Sequence, residues 1–145
     1  MNKNNKSNFS KILVPLDGSR YAEKALLRAI EMVKSFDSEI ILLYVVEKST
    51  PLTFLDQKEY LKILRTFGNR ILKNANEKLL KKGITGKILI KEGNIVNEIE
   101  KIVKKEKCNL LIVGSKGLGS FTRFFLGSVS NKLAQSSSCS LLIIK

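Results

Sequence analysis

Five short apolar runs punctuate the chain: KILVPL at 11–16, EIILLYVV at 39–46, GKILIKEG at 86–93, NLLIV at 109–113 and SLLIIK at 140–145. Between them, apolar residues recur with helical spacing. Ala22, Ala25, Leu26, Ala29, Val33 and Phe36 share one face over 19–36, and Tyr60, Leu64, Phe67, Ile71, Ala75 and Leu79 form a stripe over 57–82. Val96, Ile99 and Val103 do the same over 95–107, and a short helical segment over 128–137 precedes the last run. The order is β-α-β-α-β-α-β-α-β. Strands alternating with helices are joined by right-handed crossovers and lie parallel. Their near-continuous apolar character belongs to a sheet covered on both faces. The expectation is one α/β domain over 11–145, with a flexible, basic, polar tail over 1–10.

Local signals support these boundaries. Ser19 can cap the first helix through its hydroxyl, with Glu23 in the first turn favoured by the helix dipole. Asn94 can cap the third helix, and Gly83 is a natural stop for the second. Gly68, inside that second helix, costs about 1 kcal/mol relative to Ala and permits a slight bend.

In open α/β sheets, ligands bind beyond the carboxyl ends of the strands where the strand order reverses. Two strand ends carry unusual chemistry: PLDGS after the first run and GSKGLGSFTRFFLGS, residues 114–128, after the fourth. The latter holds four of the nine glycines. Glycine admits positive φ and close approach to a ligand, and successive exposed N–H groups form an anion-binding concavity. Gly127-Ser128 opens a helix, whose free N–H groups attract anions as well. Ser115, Ser120, Ser128 and Ser130 add hydroxyls, and Lys116 and Arg123 add charge. These parts suit a di- or triphosphate. No Walker A loop is present, because Ser120-Phe121 follow Gly119 where Lys-Ser/Thr is required, and G-x-G-x-x-G fails at Thr122.

Composition narrows the chemistry. Net charge is +13, from 26 Lys+Arg against 13 Asp+Glu, a field that favours anionic partners. No acid follows Glu106. Histidine is absent, which removes Ser-His-Asp and Cys-His mechanisms. Cys108 and Cys139 are too few for a structural zinc site and read as semi-buried thiols. The longest clean apolar run, IILLYVV, has seven residues, far short of the about 18 needed to span a membrane. No signal peptide is evident, so the expected location is the cytoplasm. Exposed aromatic stripes and recognition-helix motifs are lacking, which disfavours nucleic acid as a partner.

Gly114-x2-Gly117-x9-Gly127-Ser128 resembles the signature of the ATP-binding branch of the universal stress protein family. The opening KILVPLDGS, ILLYVV in the second strand, EGN before the third helix and the closing LLIIK match that family's landmarks in order, over nearly the whole domain. The resemblance implies a Rossmann-like, five-stranded parallel sheet in the order 3-2-1-4-5 with helices on both faces, dimeric through the last strand at Leu141–Ile144. It implies ATP as ligand, with Asp17 near the adenine and ribose and the backbone of Val45 at the adenine edge. Gly114, Gly117, Gly127 and Ser128 match phosphate-binding positions, with Ser130 as a further hydroxyl; Pro15, Ser115 and Val129 flank them in the expected site. Ile95 and Ser140 stand where the family often has proline. Asp17 can also cap its turn, Ser128 can serve as an N-cap, and Phe124, Phe125 and Leu126 are expected to pack the loop against the sheet or a partner. Mg2+ can be held by Asp17 with phosphate oxygens. Asp17 is the one acid expected in the crevice, which suits holding ATP with at most slow hydrolysis. The alternative is a nucleotide-free dimeric interaction module of the same fold.

Overall fold

A computed structural model describes residues 8–48, 54–118 and 125–145. The first seven residues of the basic tail, the Pro51 loop, and Gly119, Ser120, Arg123 and Phe124 lie outside the described residues. The elements are β1 (Lys11–Pro15), α1 (Arg20–Phe36), β2 (Glu39–Glu47), α2 (Phe54–Lys81), β3 (Lys87–Gly93), α3 (Ile95–Glu106), β4 (Leu110–Gly114), α4 (Ser128–Ser136) and β5 (Ser140–Ile144). The five strands form one sheet in the order β3-β2-β1-β4-β5, and every neighbouring pair is parallel. The expected architecture is therefore observed, with each boundary shifted by at most a few residues. Among the described residues, no helix is long and apolar enough to cross a membrane.

The continuous apolar strands divide by alternation between two cores. Ile12, Val14, Ile40, Leu42, Tyr44 and Ile112 pack under α1 and α2. Leu13, Ile41, Leu43, Val45, Leu111 and Val113 pack under α3 and α4. Successive side chains of a strand point to opposite faces, so both sets are apolar only because both faces are covered. β1 sits at the centre, paired to β2 on one side and β4 on the other. Strand order reverses between β1 and β4, which leaves their C-terminal ends side by side.

The helix ends follow their local chemistry. The Ser19 hydroxyl accepts from the Ala22 N–H at 3.1 Å, and Asn94 Oδ1 accepts from the Asn97 N–H at 3.1 Å. Gly83, just beyond α2, has φ +71°, the left-handed conformation expected of a C-terminal stop. Phe36 departs from its predicted place in the core: it is 41% exposed and meets Phe9 edge-on, with ring centroids 5.5 Å apart. Ile30 takes the buried place instead.

α2 differs most from its periodicity. Leu72, Ala75 and Leu79 are buried, whereas Tyr60 and Phe67 are half-exposed. Gly68 is buried against the sheet, and a Cβ there would lie 2.3 Å from Cδ1 of Tyr44. The glycine therefore makes room for the Tyr44 ring, which also meets Phe67 edge-on at 6.2 Å. At the far ends of β2 and β3, Glu92 pairs with Arg65 and Lys48. The Arg65 guanidinium first, and then the Lys48 ammonium, hold the Glu92 carboxyl down to about 2.

Two effects compete at Gly68. Helix propensity alone favours Ala by about 1 kcal/mol, but overpacking against a fixed ring costs about 1–3 kcal/mol. Gly68→Ala is expected to lower stability in urea unfolding. A more stable variant would mean that Tyr44 moves aside freely.

Candidate functional site

A cavity of about 560 Å³ opens at the C-terminal ends of β1 and β4, where the strand order reverses. The volume lies within the usual range for small-molecule sites, about 300–1,000 Å³. β1 and its following turn contribute Pro15 and Asp17, and β2 contributes Val45. The other side is formed by Gly114 and Gly117 after β4 and by Gly127, Ser128, Val129 and Ser130 at the start of α4. Nine of the ten residues singled out from sequence thus face one space. Ser115, the tenth, does not line it.

Ser115 instead ties the site together. It is 4% exposed. Its N–H donates to the Ile144 carbonyl at 2.7 Å, which fixes it to the end of β5, and its carbonyl accepts from the Gly127 N–H at 2.7 Å. The Ser130 hydroxyl donates to the same carbonyl at 2.8 Å, with the Gly127 carbonyl at 3.1 Å. The two glycine-bearing limbs, some ten residues apart in sequence, are therefore joined at one backbone oxygen. The Ser130 proton is committed to that junction, which leaves its oxygen lone pairs for other contacts.

The glycines act through space more than through φ. Gly18, Gly83 and Gly93 are the described glycines with positive φ; the expectation of left-handed backbone at the phosphate positions is not met. Gly127 has φ −63°, and a Cβ there would lie 3.2 Å from Cα of Lys116. At Gly117 a Cβ would lie 2.8 Å from Oδ2 of Asp17, and at Gly114 one would lie 2.7 Å from the Tyr21 carbonyl carbon and 2.9 Å from the Ala22 nitrogen. Gly114 thus lets β4 approach the first turn of α1.

Helix α4 differs from α1 and α3 at its start. Gly127 is the N-cap, with no side-chain cap and no acid in the first turn. Ser128 lies one position inside the helix, so it does not serve as the N-cap. The first N–H groups of α4 are left for a ligand beside the glycine limbs, the arrangement that binds anions at helix N-termini. Asp17 has two environments: Oδ1 accepts from the Ser19 N–H at 2.8 Å, as an acid that fixes its own turn does, while Oδ2 faces Gly117. Lys116 lines the cavity and holds its ammonium 6.0 Å from the Tyr21 ring centroid.

Other lining residues went unrecognised. Glu47 supplies a second acid, so Asp17 is not alone in the crevice. Tyr44, Tyr60, Leu64, Ile95 and Ile99 complete the apolar walls; in sequence they were indistinguishable from core positions. Phe125 and Leu126 are 72% and 40% exposed, so of the two expected places, the sheet or a partner, they do not take the sheet. Cys108 is buried as anticipated, and burial pushes its thiol up to about 11. Among the described residues, no group of three or more His, Cys, Asp or Glu side chains could hold a metal ion.

An open, doubly wound α/β sheet with a cleft at its reversal point is a Rossmann-like architecture, in which ligands bind at that point. A model of the universal stress protein family matches residues 8–145. Universal stress protein YxiE of Bacillus subtilis is 32% identical over 149 aligned positions, spanning 94% of this chain and 99% of its own length. UspA of Lactobacillus plantarum shares the fold, with a TM-score of 0.88 at 22% identity over 96% of this chain and 99% of that one. A universal stress protein solved in complex with cAMP has a TM-score of 0.74 at 25% identity, over 96% of this chain and 99% of its own. The chain belongs to the universal stress protein family.

The packing role of Gly114 has a measurable consequence. Its clash is with backbone atoms that cannot swing away, so Gly114→Ala is expected to destabilise the nucleotide-free protein by about 1–3 kcal/mol. Chemical denaturation followed by circular dichroism checks this. An unchanged midpoint would show that β4 and α1 separate without cost.

Proposed function

We propose that the cleft binds an adenine nucleotide, ATP foremost, and that the protein is a cytoplasmic stress-response regulator whose ligand state alters its self-association or its partners. The observation that carries this reading is the convergence, in one cavity, of the uncapped α4 N-terminus with Gly117, Gly127 and the Asp17 carboxylate. Phosphates fit the free N–H groups at the start of α4, and Gly117 and Gly127 beside them carry no side chain to obstruct the approach. The adenine fits between Val45, Ile95, Ile99, Val113 and Val129, an apolar slot of base-like character. The cAMP complex of the related universal stress protein supports adenine as the base.

Holding is better provided for than cleavage. Phosphoryl transfer needs a positioned metal and a group that orients the nucleophile. Asp17 already has one oxygen on the Ser19 N–H, which suits a fixed binding group and, with phosphate oxygens, a Mg2+ ligand. Slow hydrolysis at most is the corresponding expectation. β5 pairs with β4 on one side and is the last strand in the sheet order, so Leu141–Ile144 provide an edge along which a second copy can add. Edges of this kind require pairing or cover.

Gly127→Val tests the placement of the phosphates. The backbone at Gly127, φ −63° and ψ 164°, is open to any residue, so the fold is expected to persist. The added side chain meets Lys116 and the Ser115 carbonyl and obstructs the α4 N-terminus. ATP affinity by titration calorimetry is expected to fall about tenfold or more, roughly 1.4 kcal/mol. Unchanged affinity in a folded variant would mean that the phosphates lie elsewhere. Wild-type protein showing neither ATP-dependent heat nor a thermal shift would leave the nucleotide-free interaction module as the better reading.

A further inference from the structure

Tyr44 is a polar side chain of the cleft that phosphate and adenine binding leave unused. It is 7% exposed and lines the cavity. Its ring is held from the α2 side by the gap at Gly68 and by the edge of Phe67. Among the described residues, no hydrogen bond is formed by its hydroxyl, which keeps some solvent access. Water can satisfy such a hydroxyl in the free protein, and nothing in the packing requires the oxygen: phenylalanine would fill the same gap. The hydroxyl is therefore suited to a partner that arrives from the cavity.

The neighbouring groups identify that partner. Burial raises the Tyr44 pKa, and the nearby Asp17 carboxylate and Tyr60 phenol raise it further. The phenol is thus a neutral O–H donor throughout the physiological range. Asp17 Oδ2, facing the same cavity, only accepts. A phosphate oxygen without a bridging cation is repelled by that carboxylate, and a carbonyl satisfies the phenol but not the acid. A hydroxyl group accepts and donates at once, so it satisfies both.

We propose that Tyr44 reads a ribose hydroxyl of the bound nucleotide, its O–H donating to the sugar oxygen while the sugar hydroxyl donates to Asp17 Oδ2. This inference rests on the nucleotide reading above. It adds a specificity residue from the α2 side of the sheet, and it gives Gly68 a function beyond packing: the glycine seats the ring that carries the sugar-reading hydroxyl.

The test compares wild type with Tyr44→Phe by titration calorimetry against ATP, 2'-deoxy-ATP and 3'-deoxy-ATP. Wild type is expected to bind ATP more tightly than at least one deoxy analogue. Tyr44→Phe is expected to lose up to about tenfold in ATP affinity, the size of one hydrogen bond, and to bind that analogue and ATP nearly alike. Its ligand-free melting temperature is expected to be equal or higher, because only an unpaired hydroxyl is removed; a merely structural tyrosine would leave the sugar preference untouched. Equal wild-type affinity for all three nucleotides, or a preference retained in Tyr44→Phe, overturns the inference while leaving nucleotide binding in place. A wild-type protein that binds none of them overturns the nucleotide reading and this inference together.

Discussion

The close approach of β4 to the first turn of α1 sets the geometry of the whole C-terminal edge of the sheet. Gly114 permits it, since any side chain there would strike the backbone of Tyr21 and Ala22. Ser19 caps the start of α1, and Asp17, which fixes the turn into it, lines the cleft. On the other side Ser115 leaves β4 already bound to β5, and its carbonyl draws in Gly127 and Ser130. Both walls of the cavity are thus positioned by backbone contacts that begin at two adjacent residues. Side chains in the cavity can vary around such a frame without moving the N–H groups at the start of α4.

The charge around the frame is uneven. The chain carries a net charge of +13, and such a field favours anions near the surface. Within the cleft, however, the described charges are mixed: Lys116 opposes Asp17 and Glu47. Lys116 shares the surroundings of the Tyr21 ring with Arg20 and Lys24, so part of the local positive charge is arranged on an aromatic face. Under the proposed function, capture inside the cavity falls mainly to the backbone N–H groups at the start of α4, fixed dipoles that need no reorganisation when an anion arrives. Gly117 and Gly127 keep that approach clear of Cβ atoms without adopting a left-handed conformation.

Most of the architecture was legible in the sequence because it depends on local rules. The apolar runs and intervening helical periods specify strands covered on both faces, and Ser19, Asn94 and Gly83 mark helix ends by chemistry that acts within a few residues. The cleft was legible where backbone function requires a particular residue type, as at Gly117, Gly127 and Asp17. What escaped was set by contacts distant in sequence. The buried face of α2 follows the ring of Tyr44, 24 positions before Gly68, rather than the strongest stripe of the helix. Phe36 yields its core place to Ile30 and meets Phe9 at the surface. Glu47 and Tyr44 belong to a strand whose apolar pattern conceals which of its residues reach the end of the sheet.

Tyr44 shows how a fold of this kind can acquire selectivity without disturbing its frame. Its ring belongs to the core under α1 and α2, and the residue also lines the cavity. The strand supplies position, Gly68 supplies room, and Phe67 limits the ring's orientation. A group held this way loses little freedom when it bonds to a ligand, because its two rotatable angles are already restricted by packing. If the proposed contacts hold, the phosphate end relies on backbone donors that many sequences can provide, whereas a sugar contact through Tyr44 depends on the room left by Gly68 on the helix opposite. Binding strength and ligand choice would then change separately, one at the glycine limbs and the other at the contact between β2 and α2.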